Sequence, residues 1–371
     1  MAKILIVGSS PISLINFRGD LLRALIHKGH EVIVCSSAPS PDVLKSLLDI
    51  GVKHFTIPFS RTGLNFIHDL QALFFCYKVL RRENPSKILA YTIKPIIYMG
   101  IATRILRKNG FYAMITGISY SLKGSGALNR ILFLIVKKLY QLALYKSSGV
   151  FFQNPDNESF FKKNYLISNN TSVTQINGSG VNLDWYKVAP LPSQLIFLLT
   201  ARLLIDKGVR EYFLAAKQIK ALYPQVHFYL VGKLDSNPMS ISQNELQKVI
   251  KEGAIEYMGH LDDVRPVLAK SKVFVLPSYA EGTPRCVLEA MAMGRAIITT
   301  NAPGCRETVI DGENGFLIKV KSVYDLFQSM EKFISDNRLA ERMGQRSREM
   351  AEDKYDVDKV NLKILNGMGI E

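Results

Sequence analysis

The sequence predicts two doubly wound α/β domains in tandem. Apolar runs of strand length alternate with amphipathic helical patterns along almost the whole chain. The alternation breaks once, at Lys187 to Ser193, where Pro190 and Pro192 mark an interdomain linker. A length of 371 residues is long for one core and comfortable for two, and 47% hydrophobic with 21% charged residues is ordinary globular composition. The predicted domains are residues 1–187 and 188–355, with a last helical segment, 356–371, returning to the N-terminal domain.

In the first domain, residues 3–8 read as a buried parallel strand ending at Gly8. An amphipathic helix from about Phe17 to Lys28 follows, then a strand from Glu31 to Cys35. This β-α-β opening lacks the GxGxxG of a dinucleotide fold. Further strands fit Lys53 to Pro58, Lys87 to Tyr91, Tyr112 to Thr116, Gly149 to Gln153 and residues 172–177. In the second domain, strands fit Leu195 to Thr200, Val226 to Gly232, Ile255 to Met258, Val273 to Pro277, Ala296 to Thr299 and Gly315 to Ile318. Helices fit Val209 to Leu222, Ile241 to Glu252 and Val264 to Ala269, residues 322–350 are mostly helical, and 357–367 form a last helix.

Charge is unevenly spread. Residues 1–187 hold 23 lysines and arginines against nine acidic residues, a net of +14, whereas residues 188–371 hold 24 against 23, a net of +1. The first domain is therefore expected to face an anionic partner. Two of its segments, Leu64 to Arg82 and 128–146, have wide apolar faces flanked mainly by cations. Each reads either as a buried helix with a charged outer side or as an interfacial helix dipping into an anionic leaflet. The charge favours the second reading for at least one of them. Four cysteines without CxxC spacing argue against a zinc site or a disulfide framework and fit a reducing compartment. No signal peptide and no uninterrupted apolar run of membrane-spanning length is expected.

The chemistry concentrates in Pro277 to Glu289. A strand enters this stretch and a loop follows, with Thr283 as predicted N-cap and Pro284 at the first helical position. Glu281 falls on the loop and Glu289 about two turns into the helix. The helix N-terminus between them suits a diphosphate, and the two carboxylates suit sugar hydroxyls. At the end of the first strand of the second domain, Arg202 and Lys207 bracket a loop before a helix. Both cations are placed to reach one diphosphate and to offset the charge on a departing nucleoside diphosphate. The Asp262-Asp263 pair reads as a helix N-cap region, and no Asp-x-Asp arrangement is positioned for a metal.

These residues resemble the family 4 glycosyltransferases, retaining enzymes with the GT-B architecture of two Rossmann-like domains facing across a cleft. Glu281 and Glu289 match that family's pair of glutamates, and Arg202 and Lys207 its diphosphate clamp. Gly232 and Tyr257-Met258-Gly259 match its nucleotide-pocket strand ends. The resemblance implies that Glu289 holds the ribose and Glu281 contacts the donor sugar. It places the amides of Gly282, Thr283 and Arg285 near the diphosphate and sugar, and the base near Gly259, His260 and Leu261. It spans nearly the whole chain.

In the first domain, Tyr91 to Gly100, Ile115 to Ile118 and Asn16-Phe17-Arg18 resemble bacterial transferases that build O-antigen, capsule or protein-linked glycans on a polyprenyl diphosphate, N-acetylgalactosaminyltransferases among them. That implies a UDP-sugar donor, a polyprenyl-diphosphate-linked saccharide acceptor, an anionic membrane surface at the inner face of the plasma membrane, and no metal or other cofactor. Gly8, Ser9, Arg18, Lys94, Thr116 and Gly117 are the acceptor or cleft residues by this likeness, Arg18 and Lys94 facing the lipid diphosphate or its sugar. Two departures stand out: Gly8-Ser9-Ser10 replaces a Gly-Gly pair, and no histidine lies at Thr92 to Lys94. A histidine-base mechanism is thereby disfavoured, and front-face displacement assisted by the leaving diphosphate is expected. Two other readings remain: a GT-B nucleotide-sugar 2-epimerase, disfavoured by scattered histidines, and a nucleic-acid-binding protein, disfavoured by the lack of a binding motif.

Overall fold

The computed structural model describes residues 1–59, 66–118, 127–235 and 237–370. The chain divides into two compact units, Met1–Ser179 with Asp358–Glu371, and Gly180–Val357.

The first unit runs β1 (Lys3–Val7), α1 (Pro11–His27), β2 (Glu31–Ser36), α2 (Pro41–Ile50), β3 (Lys53–Thr56), α3 (Phe66–Glu83), β4 (Lys87–Tyr91), α4 (Ile93–Ile105), β5 (Phe111–Ile115), α5 (Ala127–Leu144), β6 (Gly149–Phe152), α6 (Pro155–Lys163) and β7 (Val173–Gln175). Its strands form one parallel sheet in the order β3-β2-β1-β4-β5-β6-β7. Both faces are covered, which is why the strands are apolar throughout rather than alternating. On one face, Leu14, Leu21, Leu22 and Leu25 of α1 and Leu47 of α2 pack on Ile4, Ile6, Val32 and Val34. The chain's final helix (Val357–Met368) joins that face through Val360, Ile364, Leu365 and Met368. On the other face, α3, α4 and α5 cover Leu5, Val7, Ile88 and Ala113.

The second unit runs β8 (Ile196–Thr200), α7 (Val209–Leu222), β9 (His227–Val231), α8 (Gln243–Lys251), β10 (Glu256–Tyr257), α9 (Arg265–Ala269), β11 (Val273–Leu276), α10 (Arg285–Ala292), β12 (Ala296–Thr300), β13 (Gly315–Ile318), α11 (Val323–Ser335) and α12 (Leu339–Met350). Its parallel sheet has the order β10-β9-β8-β11-β12-β13. In each sheet the strand order reverses once, between β1 and β4 and between β8 and β11. Ligands of open α/β sheets bind at the carboxyl ends of strands beside such a reversal.

Several boundaries differ from expectation. Helix α1 begins at Pro11, well before Phe17, because Ser10 takes the N-cap position in extended conformation and Pro11 is already set for the first turn. Helix α10 begins at Arg285, with Pro284 rather than Thr283 at the N-cap position, since Pro284 is extended. The second unit starts at Gly180, before the predicted linker: Val181 and Tyr186 are buried in a cluster with Phe274, Leu288 and Tyr355. Asp263 does accept from the Arg265 amide at the start of α9, but Val264 holds the cap position.

Candidate functional site

Where β8 and β11 part, the loops that leave their carboxyl ends are laced together. The backbone carbonyl of Asp206 accepts from the Tyr279 amide at 2.8 Å and from the Ser278 hydroxyl at 3.1 Å. The Tyr279 phenol donates to Glu211 of α7 at 2.7 Å, and Thr300 of β12 donates to the Ser278 carbonyl. Gly208 makes the approach possible. Its φ is +71°, and a Cβ there would lie 2.1 Å from the Pro277 carbonyl oxygen.

This lacing brings Lys207 onto Glu281. Their Nζ and Oε1 are 2.5 Å apart, and Ser278 Oγ donates to the same Oε1 at 2.9 Å. Both side chains are largely buried, 15% and 18% exposed. Burial lowers the Lys207 pKa, but the charge and hydrogen bond of Glu281, with the charge of Asp206, outweigh it and hold the ammonium above its ordinary value. The backbone of Glu281 is fixed separately, its amide donating to the Pro303 carbonyl at 2.8 Å. A buried cation and a buried carboxylate thus share one hydrogen bond at the strand-order reversal. A second anion arriving there can draw on Lys207 while Glu281 keeps Ser278.

Glu289 lies on α10, whose cap residue Pro284 makes no side-chain capping hydrogen bond. Arg285 Nε donates to Glu289 Oε1 at 3.0 Å, and the Tyr186 phenol donates to the same carboxylate. Burial still pushes the Glu289 carboxyl above its ordinary pKa, against the charge of Arg285 and the hydrogen bonds of Tyr186 and Arg285. The Cys286 thiol is pushed far up by burial, and it also feels the charges of both Glu281 and Glu289. A neutral thiol therefore stands on the first turn of α10, within the field of both glutamates.

Arg202 is placed differently from Lys207. Its side chain is 52% exposed and reaches Asp235 Oδ2 at 3.4 Å, so it stands at the solvent edge of the β8 loop. The Gly232 amide donates to the Gly259 carbonyl at 2.8 Å, and Tyr257 donates to the Gly232 carbonyl at 2.7 Å. Those bonds fix the ends of β9 and β10 side by side. His260 is exposed and 3.7 Å from Asp262, and Leu261 packs against the core that holds Val287 and Leu288. Gly282 and Thr283 form the turn between Glu281 and α10.

The first unit gathers its residues at its own reversal. Gly8 ends β1 under the Tyr91 ring: a Cβ there would lie 2.3 Å from the phenol. Thr92 Oγ1 donates to Ser9 Oγ at 3.2 Å, joining the ends of β4 and β1. Thr92 has φ +66° and ψ 158°, a conformation that strains a β-branched residue. Arg18, expected to face a ligand, is 2% exposed with its guanidinium 5.1 Å over Tyr91. Its helix starts at Pro11, which turns position 18 towards the sheet. Lys94 is bound to Asp69 at 2.9 Å. Thr116 and Gly117 follow β5 at partial exposure, and Gly117 lines a small apolar hollow with Ile93, Phe133, Tyr140 and Phe160.

Two family descriptions match most of the chain: glycosyl transferases group 1 over residues 187–350, and glycosyl transferase 4-like over residues 3–154. The chain is a glycosyltransferase of the GT-B fold. It is 28% identical over 341 residues to the N,N'-diacetylbacillosaminyl-diphospho-undecaprenol alpha-1,3-N-acetylgalactosaminyltransferase of Campylobacter jejuni, covering 88% of each. It is 24% identical over 344 residues to the UDP-Gal:alpha-D-GlcNAc-diphosphoundecaprenol alpha-1,3-galactosyltransferase of Escherichia coli, covering 88% of this chain and 83% of the other. The Anabaena protein HepE, solved in complex with UDP, has the same fold, with a TM-score of 0.80 at 19% identity over 99% of each chain.

Two residues of the transferase's site escaped sequence reasoning. Tyr186 holds Glu289 from the segment just before the predicted linker, and Asp235 holds Arg202 from the loop after β9. Neither belongs to a motif. The only hint for Tyr186 was an aromatic side chain beside Trp185.

Proposed function

We propose that the transferase moves a hexose or N-acetylhexosamine, with N-acetylgalactosamine the first choice, from a UDP-sugar to a saccharide carried on a polyprenyl diphosphate, in the assembly of a bacterial surface glycan. The Lys207–Glu281 pair at the β8/β11 reversal carries this reading. The names of the Campylobacter and Escherichia relatives support the acceptor class and the sugar, and the latter names a UDP donor.

The reaction runs with retention. An acceptor hydroxyl oxygen bonds to the anomeric carbon on the face the diphosphate leaves. The bond from that carbon to the phosphate oxygen breaks, and its electron pair departs with UDP. The hydroxyl proton passes to the leaving phosphate oxygen. Lys207 turns from Glu281 towards the diphosphate and meets the charge developing there. Arg202, already at the solvent edge, moves from Asp235 to the same phosphates. The amides of Gly282, Thr283 and Arg285 at the start of α10 add a partial positive charge. Two cations and a helix start supply what a metal would otherwise supply, so transfer is metal-independent. Glu281 takes a hydroxyl of the donor sugar, Glu289 takes the ribose, and the base lies by Gly259, His260 and Leu261. The acceptor approaches Gly8, Ser9, Lys94, Thr116 and Gly117. Arg18 shapes that region through Tyr91.

The transferase works at the inner face of the plasma membrane as a peripheral protein. Among the described residues no helix is long and apolar enough to cross a membrane. The test is transfer from a panel of UDP-sugars to a polyprenyl-diphosphate-linked saccharide in the presence of a chelator. Turnover that Glu281→Ala abolishes supports the reading. Absence of turnover with every donor, or equal turnover by Glu281→Ala, sinks it.

A further inference from the structure

Helix α5 presents an apolar stripe that the described residues of its own unit leave about half exposed. Ile131, Leu134, Ile135, Leu142 and Tyr145 recur at helical spacing along its outer side and just past its end, each between 46% and 58% exposed. The opposite side, with Tyr140, Ala143 and Leu144, is buried against the unit. Helix α3 lies in the same layer, on the other flank of α4, and carries a shorter stripe of Ile67, Leu70, Phe74 and Phe75. Leu64, counted in that segment from the sequence, lies outside the described residues. Exposed apolar rows of this size mark interaction surfaces rather than ordinary solvent-facing helices.

The charge around the stripe selects the partner. From Asn84 to Pro155 the chain has no aspartate or glutamate and ten lysines and arginines. Arg130 and Lys146 are exposed at the two ends of the stripe, and Lys138 lies within it. Tyr145 sits between two cations, Arg104 at 4.6 Å and Lys146 at 5.7 Å from its ring, and Lys78 lies 4.4 Å from the Phe74 ring. The core of a protein–protein interface is depleted in lysine, whereas at a bilayer lysine stems lie along apolar surface and their heads reach lipid phosphates. Aromatic rings flanked by cations suit the headgroup level.

We propose that the outer face of α5 seats in an anionic lipid bilayer. Ile131, Leu134, Ile135 and Leu142 enter the acyl boundary, and Arg130, Lys138, Lys146 and Arg104 contact headgroup phosphates. This deepens the reading of a membrane-borne acceptor, but its test needs no transfer. The full-length protein is floated with vesicles of phosphatidylcholine alone or mixed with phosphatidylglycerol. The expected result is binding to the anionic vesicles that weakens with salt. The exposed double variant Leu134→Glu/Ile135→Glu loses about tenfold or more in partition, and Lys138→Gln about fivefold. Their circular-dichroism melts stay at the wild-type temperature. In a Leu134→Trp variant, brominated acyl chains quench the new fluorescence.

Equal flotation of wild type and double variant overturns the proposal. So does equal binding to neutral and anionic vesicles. A dimer broken by the double variant, in protein that does not float, also overturns it and assigns the face to a second copy. The two readings fail separately. Transfer to a water-soluble short-chain acceptor without vesicle binding removes the docking face alone. Charge-dependent flotation without turnover of any nucleotide sugar removes the transferase reading alone.

Discussion

The two sheets reverse strand order in the same way and finish the reversal with opposite chemistry. At the β8/β11 ends the structure buries an ion pair, Lys207 on Glu281, inside a lattice of backbone hydrogen bonds. At the β1/β4 ends it places neutral hydroxyls, Ser9 and Thr92, beside a phenol that fills the space over Gly8. Arg18 is held over that phenol, and Lys94, two residues past Thr92, is paired with Asp69. A charged reversal suits a diphosphate whose charge grows as it leaves. A neutral one suits hydroxyls that must be placed without being ionised. In the proposed reaction, one fold used twice would separate the leaving group's chemistry from the nucleophile's positioning.

The largest expected effect tests that separation. Lys207→Ala should lower kcat by roughly 10²–10³-fold, the scale of removing one donor from a charge-stabilising site. Ser9→Ala should change kcat by less than about tenfold and act mainly on the acceptor KM. Equal losses of kcat in the two variants would break the contrast. Next, Gly208→Ala should destabilise the protein by roughly 2–3 kcal/mol, because the residue holds a positive φ against the Pro277 carbonyl. A denaturant titration reads this, and an unchanged midpoint removes Gly208 from the account.

Glu289→Gln should separate function from stability. The Glu289 pKa is raised in the folded protein above its ordinary value of 4.5. The native state therefore favours the protonated form, and ionisation costs stability at any pH above the folded pKa. Below 4.5 both folded and unfolded chains hold the proton and the cost is gone. Glutamine carries no such cost. The variant's melting temperature should equal or exceed the wild type's at about pH 7, with the difference shrinking as pH falls through that window, while the donor KM rises. The smallest effect is at the neutral reversal. Thr92→Gly should stabilise by about 1 kcal/mol, since relief of its strained conformation exceeds the entropic cost of glycine. A lower melting temperature would show that the Ser9–Thr92 bond outweighs the strain.

What the sequence disclosed follows the range of the interactions. Glu281 and Glu289 were legible because loop and helix are local, and eight residues of spacing set which side of the α10 start each borders. Lys207 was legible as a cation before a helix, but not its pairing, which depends on Gly208 touching Pro277 from the neighbouring strand. Tyr186 and Asp235 were hidden for the same reason: each reaches its partner only after the sheet has assembled. Arg18 was named from the likeness of Asn16-Phe17-Arg18, with the helix expected to begin only near Phe17. Once Pro11 starts α1, position 18 faces the core. The wide apolar faces of α3 and α5 were visible as composition. Only the fold shows that they are partly uncovered.

In the proposed reaction, a buried lysine–carboxylate pair handles a sugar diphosphate with retention. The most direct measurement is the anomeric proton coupling of the product formed from UDP-N-acetylgalactosamine and a polyprenyl-diphosphate-linked saccharide, read by NMR and repeated with Lys207→Ala. An α-linked product from the wild type, and at least about a hundredfold slower accumulation of the same product by the variant, are expected. A β-linked product, or undiminished transfer without Lys207, would contradict the proposed reaction.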